Sequence, residues 1–425
     1  MDPHLQLLSR LAQRDESKIV LLVLDGVGDI VTEEQPRTAL QAASTPSLDA
    51  LAARSALGRI VPVAQGVTPG SGPGHLALFG YDPARAENDI GRGVLEALGL
   101  GLDLQPGQVA ARGNFATADG EGRLTDRRAG RIPTEDNRRI CAVLDERLQE
   151  RDFDGVRARV FAGEGHRFVL LLTGDGLSPQ VADTDPQETG VPSLAPRATT
   201  SAGERTAAAV AAVLAVIEPA LAMAAERLRE APGSNAARAA APKANRVLLR
   251  GFATLPHLPS MAKLYKLRCG AFAGYPLYRG VAAACGMAVV PCGKRFADAV
   301  EAAAARWQDF DYFFLHVKQT DMAGEDGDFE AKVAVLEEVD RDLPRLTELA
   351  PDVLAITGDH STPAPVRQHS WHPVPLLVHG RHCFIDPADR FDEVAATAGH
   401  LGTFPSRDLM GLLLANAGRL AKYGA

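Results

Sequence analysis

The sequence is poor in cysteine, and it has no apolar run of the length that crosses a membrane. Its five cysteines are odd in number and scattered, without CxxC spacing, so neither a disulfide framework nor a cysteine-ligated zinc site is expected. The longest apolar stretch, residues 207–217, falls short of the roughly 18 residues of a membrane span. A reduced, cytoplasmic protein without a membrane partner is therefore the simplest interpretation.

An excess of basic charge is also missing. Among the 425 residues, 53 acidic side chains outnumber 45 basic ones, and no run of lysine and arginine stands out. A nucleic-acid partner is therefore not expected, and any bound anion would need a local basic pocket. The length suggests two domains, or one core with a large insertion.

Strand and helix patterns alternate along much of the chain. Short apolar runs typical of buried strands occur at residues 19–24, 167–172, 246–249, 312–315, 353–356 and 375–378. Helical patterns occur at residues 45–54, 202–229 and 329–349. The alternation predicts an α/β fold with a largely parallel sheet. A stretch rich in small and polar residues, 232–245, is typical of an exposed linker or loop.

Acidic side chains follow three of the predicted strands. Asp25 comes directly after the first run, Asp321 follows the fourth and Asp359 follows the fifth. Because the carboxyl ends of parallel strands meet at one edge of a sheet, we expect these side chains to converge. Together with Glu325 and His369 they would offer donors that suit manganese, magnesium or zinc. Taken alone, each also fits a structural role, and Asp25 followed by Gly26 fits ordinary turn chemistry.

A loop rich in glycine and proline surrounds Ser71. Residues 66–75 contain four glycines and two prolines, and a helix is predicted to begin at residues 76–79. Such a loop can approach an anion closely or present a hydroxyl at a helix start, although a plain surface turn fits it equally well. It matches neither the Walker loop nor the GxSxG motif. A serine beside bound metals can become an activated nucleophile.

Distinctive motifs occur along nearly the whole chain. They are Leu24-Asp25-Gly26, Thr45-Pro46-Ser47, Pro69-Gly70-Ser71, Gly80-Tyr81-Asp82-Pro83, Arg112-Gly113-Asn114-Phe115, Asp126-Arg127-Arg128-Ala129-Gly130-Arg131, Gly165-His166-Arg167, Asp183-Thr184-Asp185-Pro186, Tyr278-Arg279-Gly280, His316-Val317-Lys318 and Gly358-Asp359-His360. In this combination the chain resembles the archaeal type of cofactor-independent phosphoglycerate mutase, a family of the alkaline phosphatase superfamily.

The resemblance implies a fold, an activity and a cofactor. It implies an alkaline-phosphatase-like α/β core at residues 1–104 and 257–425, with a smaller α/β substrate-binding domain inserted at residues 105–256. It implies interconversion of 3- and 2-phosphoglycerate, a step of glycolysis and gluconeogenesis, through a phosphoserine. Two divalent metal ions would assist, with manganese favoured and magnesium, cobalt or zinc compatible.

The resemblance also implies roles for individual residues. Ser71 is the implied nucleophile. One implied metal site consists of Asp25, Ser71, Asp359 and His360, and the other of Asp321, Glu325 and His369. The implied substrate-binding set is His75, Arg112, Arg128, Arg131, His166, Arg167, Asp183 and Arg250. Without the resemblance, the arginines fit solvated surface charge better.

Several positions depart from the family pattern and leave the substrate open. Glu325 stands where the family usually has histidine, and an oxygen donor there favours manganese or magnesium over zinc. The segments at residues 72–75 and 371–372 also differ. The alternative function is a related phosphotransferase or phosphatase acting on another small metabolite, such as a proposed homoserine kinase. A non-catalytic metal-binding relative is a third possibility. The sequence determines neither the oligomeric state nor the physiological metal.

Overall fold

The computed structural model describes residues 2–85, 88–230 and 243–424, and these residues form two compact units. The first unit combines Met1–Asp89 with His257–Ala425, and the second is Ile90–Pro256. The insert at residues 105–256 stays a prediction, and the compact unit starts earlier because a helix at Arg92–Gly99 packs against its sheet. Most of the linker predicted at residues 232–245 lies outside the described residues.

The described elements follow one another in a fixed order. The strands are β1 (Ile19–Leu24), β2 (Ala56–Val61), β3 (Val109–Ala118), β4 (Leu124–Asp126), β5 (Arg157–Ala162), β6 (Arg167–Thr173), β7 (Arg246–Ala253), β8 (Cys269–Ala273), β9 (Ala288–Val289), β10 (Tyr312–Val317), β11 (Val353–Thr357), β12 (Val374–Gly380) and β13 (Gly402–Pro405). The helices are α1 (Pro3–Leu11), α2 (Ala39–Ala42), α3 (Pro46–Ala52), α4 (Ser71–Leu78), α5 (Arg92–Gly99), α6 (Thr134–Gln149), α7 (Glu204–Glu230), α8 (Met261–Tyr265), α9 (Pro276–Ala284), α10 (Phe296–Ala305), α11 (Gln319–Asp326), α12 (Phe329–Thr347), α13 (Glu393–Ala398) and α14 (Leu409–Asn416).

The first unit is built on one largely parallel sheet. Its strand order is β13-β2-β12-β11-β1-β10-β8-β9, and only β12 pairs antiparallel with its neighbours. The central strands β1, β10 and β11 are buried along their whole length, as expected of strands covered on both faces by helices. The predicted α/β core with a mostly parallel sheet is therefore confirmed.

The register of the central strands places the ends of three strands side by side. Leu24 of β1 pairs with Val317 of β10, and Val23 pairs with Thr357 of β11. The chain leaves all three strands at the same edge of the sheet. This is the carboxyl edge, where α/β proteins generally bind ligands.

The second unit has an antiparallel sheet. Strands β4, β3, β6 and β5 lie in that order, and β7 pairs with β3. All of these pairings are antiparallel. Helices α6 and α7 contribute to its hydrophobic core through residues such as Leu144, Val213 and Leu221. The parallel sheet predicted from the alternating pattern is thus a property of the first unit alone.

Helix α7 lies where a helix was predicted, at residues 202–229, but it extends well beyond the apolar run at residues 207–217. The helical segment Ser201–Leu228 is long and apolar enough to cross a membrane, although the apolar run inside it stops at Glu218 and Pro219. Val210, Val213 and Ile217 on this helix are fully buried in the core of the second unit. It is therefore a core helix of that unit.

Candidate active site

Acidic and imidazole side chains meet at the carboxyl edge of the parallel sheet. Asp25 follows β1, Asp321 lies on α11 after β10, and Asp359 and His360 follow β11. All four side chains are buried. The convergence expected from the strand ends is therefore observed within the first unit.

One cluster joins Asp25, Asp359 and His360. The Nε2 atom of His360 lies 3.3 Å from Asp25 Oδ1 and 3.3 Å from Asp359 Oδ2. The Oγ atom of Ser71 lies 3.4 Å from the same Nε2 atom. These four residues are the set that the resemblance assigned to one metal site.

A second cluster forms around Asp321 and His369. The Nε2 atom of His369 lies 3.5 Å from Asp321 Oδ1 and 3.6 Å from Glu325 Oε1. The rings of His369 and His360 stack with their centroids 3.7 Å apart, so His360 borders both clusters. The compact donor group here is Asp321, His360 and His369, whereas Glu325 is half exposed and lies beside it. A ligand role for Glu325 stays a prediction.

Ser71 is the first residue of helix α4, whose N-cap is Gly70. The helix was expected to begin at residues 76–79, and it begins earlier, with Pro73 in its first turn, where the missing N–H of proline would have no intrahelical partner. A Cβ atom on Gly74 would lie 2.5 Å from the backbone oxygen of Asp359. Glycine therefore lets the first turn of α4 approach the Asp359 loop closely, and this brings the Ser71 hydroxyl to the carboxylates.

His75 is fully buried beneath Ser71. Its Nδ1 atom lies 2.8 Å from the backbone oxygen of Ser71 and 3.1 Å from Asp359 Oδ2. Its ring packs against Tyr278 and His316. In this structure His75 therefore supports Asp359 and Ser71, and it has no exposed surface at which to contact a substrate.

Three further side chains at this edge were absent from the predicted site. The Nζ atom of Lys318 contacts Asp321 Oδ2 and lies 3.3 Å from Asp25 Oδ2. His316 Nε2 lies 3.2 Å from Asp25 Oδ2, and the ring of Tyr278 stacks on His316 with centroids 3.6 Å apart. The spacing of Lys318 three residues before Asp321 is the one signal in the sequence that could have revealed a contact.

The electrostatics of the cluster follow from burial and from these neighbours. Burial alone would raise the pKa of Asp25, but Lys318, His316 and His360 hold it well below its usual range. Burial and the nearby Asp25 carboxylate raise the pKa of Asp321. Burial opposes the charge of His369, yet the hydrogen bond with Glu325 raises its pKa to about 9. The site is thus a concentration of negative charge that is only partly offset.

The donors present fit divalent metal ions. Asp25 Oδ1 and Asp359 Oδ2 are buried and accept no hydrogen bond of regular geometry among the described residues, although imidazole nitrogens lie 3.1–3.3 Å from them. Buried carboxylate oxygens without partners are costly, and a cation relieves that cost. Carboxylate oxygens and imidazole nitrogens are also the ligands that manganese, magnesium and zinc accept. Both donor groups of this edge therefore suit a cation.

In the second unit, three predicted arginines lie on adjacent strands. Arg112 of β3 pairs in register with Arg250 of β7, and Arg167 of β6 pairs with Asn114 of β3. The Nε atom of Arg112 is buried and finds no acceptor among the residues that the structure describes. Burial, followed by the charge of Arg167, lowers the pKa of Arg112 to about 10. Arginines gathered in this way bind anions readily.

Three more members of the predicted substrate set, Arg128, Arg131 and His166, belong to the same basic cluster. Burial, together with the nearby charges of Arg167, Arg112, Arg128 and Arg131, lowers the pKa of His166 to about 4. Within the second unit the structure therefore brings together the imidazole and four of the predicted arginines.

Asp183 orients the fifth arginine of this set. Asp183 Oδ2 lies 3.5 Å from Arg250 Nε, and its Oδ1 atom accepts a hydrogen bond from the backbone N–H of Gly251. Asp185 also lies 3.5 Å from Arg250, through its Oδ2 atom. These contacts fix the direction of the Arg250 side chain.

Comparisons with known proteins identify the family that the chain resembles. A family model described as 2,3-bisphosphoglycerate-independent phosphoglycerate mutase matches residues 52–224. Relatives named as probable enzymes of this kind include one from Thermus thermophilus, 48% identical over 421 residues, and one from Thermotoga neapolitana, 46% identical over 418 residues. Each match covers 98% of both chains.

Two solved structures are similar over nearly the whole chain. One is a protein from Pyrococcus horikoshii, with a TM-score of 0.79 and 28% identity, and the match covers 98% of this chain and 100% of that one. The other is a cofactor-independent phosphoglycerate mutase from Thermoplasma acidophilum, with a TM-score of 0.69 and 30% identity, covering 95% and 100%.

A buried carboxylate and histidine cluster beside a helix-terminal serine is typical of α/β enzymes that transfer phosphoryl groups with the help of metal ions. The similarity over nearly the full length identifies the family within this class of enzymes. The chain belongs to the family of 2,3-bisphosphoglycerate-independent phosphoglycerate mutases.

Proposed function

We propose that this protein interconverts 3-phosphoglycerate and 2-phosphoglycerate through a phosphoserine formed on Ser71. The observation that carries the proposal is the position of the Ser71 hydroxyl at the start of α4, 3.4 Å from His360 Nε2 and beside buried carboxylates. A structural metal site has no need of a hydroxyl in this place, whereas a nucleophile does.

Two divalent metal ions would be held by the donors at the sheet edge. Asp25, Asp359 and His360 would hold one with Ser71, and Asp321 and His369 would hold the other with Glu325. When bound, the metals would lower the pKa of the serine hydroxyl and stabilise charge on the phosphoryl group. Manganese fits this oxygen-rich set best, while magnesium, cobalt and zinc are compatible.

The residues of the chain account for the remaining chemistry. Ser71 Oγ gives up its proton and forms a bond to phosphorus as the ester bond between phosphorus and the substrate oxygen breaks, and the released oxygen takes up one proton and becomes a hydroxyl. Return of the phosphoryl group to the neighbouring hydroxyl of the same glycerate restores free Ser71. Lys318 places a positive charge beside Asp25 and Asp321, and His75 and His316 hold the carboxylates in place.

The basic cluster of the second unit would bind the negative groups of the substrate. Its predicted members are Arg112, Arg128, Arg131, His166, Arg167 and Arg250, with Asp183 orienting Arg250. Planar guanidinium groups match carboxylate and phosphate oxygens, and each charge-assisted bond contributes about 1.5–3 kcal/mol. A small phosphorylated carboxylic acid satisfies this cluster better than homoserine, which lacks a phosphate and carries an ammonium group.

One set of assays on a single purified sample tests this function. With Mn²⁺ present, we expect turnover of 3-phosphoglycerate to 2-phosphoglycerate, no ATP-dependent phosphorylation of homoserine and little phosphatase activity. Efficient homoserine phosphorylation, or phosphatase activity exceeding mutase activity, would replace the proposal with the related phosphotransferase or phosphatase. A cytoplasmic location and the absence of nucleic-acid and membrane partners stay predictions.

A further inference from the structure

The turn that follows β4 has an unusual backbone. Three successive residues, Ala129, Gly130 and Arg131, have positive φ angles of 47°, 63° and 53°. Only glycine adopts this left-handed conformation without strain, so Ala129 and Arg131 are both held in a costly state. Such strain persists only where surrounding contacts enforce it, and it is frequent at functional sites.

A single carboxylate closes this turn. Asp126, the last residue of β4, accepts hydrogen bonds from Arg128 N–H at 2.8 Å through Oδ1 and from Gly130 N–H at 2.5 Å through Oδ2. Ala129 is fully buried in the core of the second unit, which anchors the middle of the turn. The backbone N–H of Arg131 donates to the oxygen of Arg128 at 2.8 Å. Loss of Asp126 therefore removes the acceptors of two nearby N–H groups at once.

The strained turn carries two members of the basic cluster. Arg128 and Arg131 have side chains that reach solvent, and neither forms an ion pair within the described part of the chain. Both lie near enough to His166 to disfavour its protonation, together with Arg112 and Arg167. Gathering like charges at the cost of backbone strain is unfavourable for folding alone, but it prepares a place for an anion.

We propose that Asp126 is a positioning residue that holds Arg128 and Arg131 in the geometry that binds the anionic groups of the substrate. Asp126 acts through the backbone of the turn, because both of its oxygens are engaged by N–H groups of residues 128 and 130. The inference rests on the proposed function and adds to it a residue outside the predicted substrate-binding set.

The direction of the change in anion affinity on loss of Asp126 separates a positioning role from a simple electrostatic one. Removal of a carboxylate beside a basic cluster would by itself strengthen anion binding, because one competing negative charge disappears. Relaxation of the turn would weaken anion binding, because the two guanidinium groups would lose their fixed positions. A decrease in affinity therefore supports positioning, and an increase contradicts it.

The chain offers a matched control in Asp119. This residue also accepts two backbone hydrogen bonds from the residues two and four positions later, from Glu121 at 3.0 Å and Arg123 at 2.9 Å. It caps the neighbouring turn between β3 and β4. Arg123 pairs with Glu121, so this turn presents no unpaired arginine from the predicted set. Asp119→Asn and Asp119→Ala thus reproduce the loss of a turn cap without touching the cluster.

The test measures anion binding and turnover in Asp126→Asn, Asp126→Ala and the two Asp119 variants of the full chain. Calorimetric titration with 3-phosphoglycerate and, separately, with inorganic phosphate reports binding, and thermal unfolding reports folding. We expect the Asp126 variants to bind 3-phosphoglycerate at least about tenfold more weakly, with KM raised more than kcat is lowered, and the Asp119 variants to bind like the wild type. Asp126→Asn keeps the shape of the side chain, so it covers the case in which Asp126→Ala does not fold.

Two outcomes would overturn the inference, and a third would overturn the proposed function alone. Unchanged or tighter binding in the Asp126 variants would show that the carboxylate does not position the arginines. Equal weakening in the Asp126 and Asp119 variants would show a general effect of losing a turn cap. If the wild type does not turn over 3-phosphoglycerate, the proposed function fails, while the phosphate titration still decides the role of Asp126.

Discussion

Each unit brings together side chains of one charge, negative in the first unit and positive in the second, and the two clusters differ in burial. At the sheet edge of the first unit, Asp25, Asp321 and Asp359 are fully buried and only partly balanced by Lys318. In the second unit, arginines collect on an antiparallel sheet, and Arg128 and Arg131 still reach solvent. Like charges repel in both places, so a ligand of the opposite sign would stabilise each cluster. We therefore expect the first cluster to bind cations and the second to bind an anion.

The burial of each cluster indicates how its ligand is used. Buried carboxylates and imidazoles with little freedom suit ions that stay in place during turnover. Solvent-accessible guanidinium groups on long side chains suit a ligand that enters and leaves. The two regions should therefore respond separately to substitutions, to metal ions and to anions.

The largest effect should follow the loss of the nucleophile. We expect Ser71→Ala to reduce mutase turnover by at least about 10⁴-fold, because the hydroxyl is the group that receives the phosphoryl. Circular dichroism and the thermal unfolding midpoint should stay close to the wild type. Ser201→Ala, at an exposed serine of the second unit, serves as the control and should retain turnover. Substantial activity in Ser71→Ala would remove this residue from the mechanism.

Metal binding should stabilise the protein through the first unit only. At a Mn²⁺ concentration 100 times the dissociation constant, stabilisation of about 2.7 kcal/mol is expected for a site formed only on folding. Asp359→Asn should remove most of this increase, and Arg131→Ala should preserve it. Differential scanning calorimetry of the three proteins, with and without a chelator, measures the difference. An identical loss in both variants would contradict the separation of the two regions.

Loss of an arginine from the basic cluster should lower the turnover of one substrate more than that of another. We expect Arg131→Ala to lower kcat/KM for 3-phosphoglycerate at least about tenfold, because about 1.4 kcal/mol of binding is a factor of ten. Hydrolysis of a small aryl phosphate, which lacks the carboxylate, should fall much less. Arg138→Ala is the matched control, since Arg138 is exposed and paired with Glu135 on α6. Equal losses on both substrates would count against a role in substrate recognition.

The sequence predicted the carboxyl edge of the parallel sheet well, because the central strands of that sheet are easily recognised. Strands β1, β10 and β11 are continuous apolar runs, and a ligand-bearing edge follows from the parallel arrangement. Strand β3 was missed because its ten residues include Arg112, Gly113 and Asn114, which interrupt the apolar pattern. Its identity as a strand comes from pairing with β6 and β7, which no local pattern records.

Positions that depend on tertiary packing could not be predicted from the sequence for similar reasons. The start of α4 at Ser71 was missed because a segment rich in glycine and proline has low helix propensity, and packing of Gly74 against the Asp359 loop overrides that propensity. The contact of Lys318 with Asp25 joins residues far apart in the chain, and only the sheet register brings them together. The sequence could predict which side chains offer ligand atoms, but it could not predict which side chains contact one another.

The smallest expected effect concerns His166 in the basic cluster. Its pKa lies near 4 in the folded protein, below the ordinary value of about 6.5 for histidine, because burial and the surrounding arginines disfavour the charged form. Between these two values the unfolded chain binds a proton that the folded protein does not, so stability should fall as the pH decreases from about 6.5 toward about 4. One proton limits the slope to about 1.4 kcal/mol per pH unit. Urea unfolding should show a shallower pH dependence in His166→Asn than in the wild type. An anion bound to the arginines would offset their charge, so saturating phosphate should raise the pKa of His166, which histidine NMR can follow directly. A pKa near the ordinary histidine value that phosphate does not change would show that the arginines are not gathered around this imidazole.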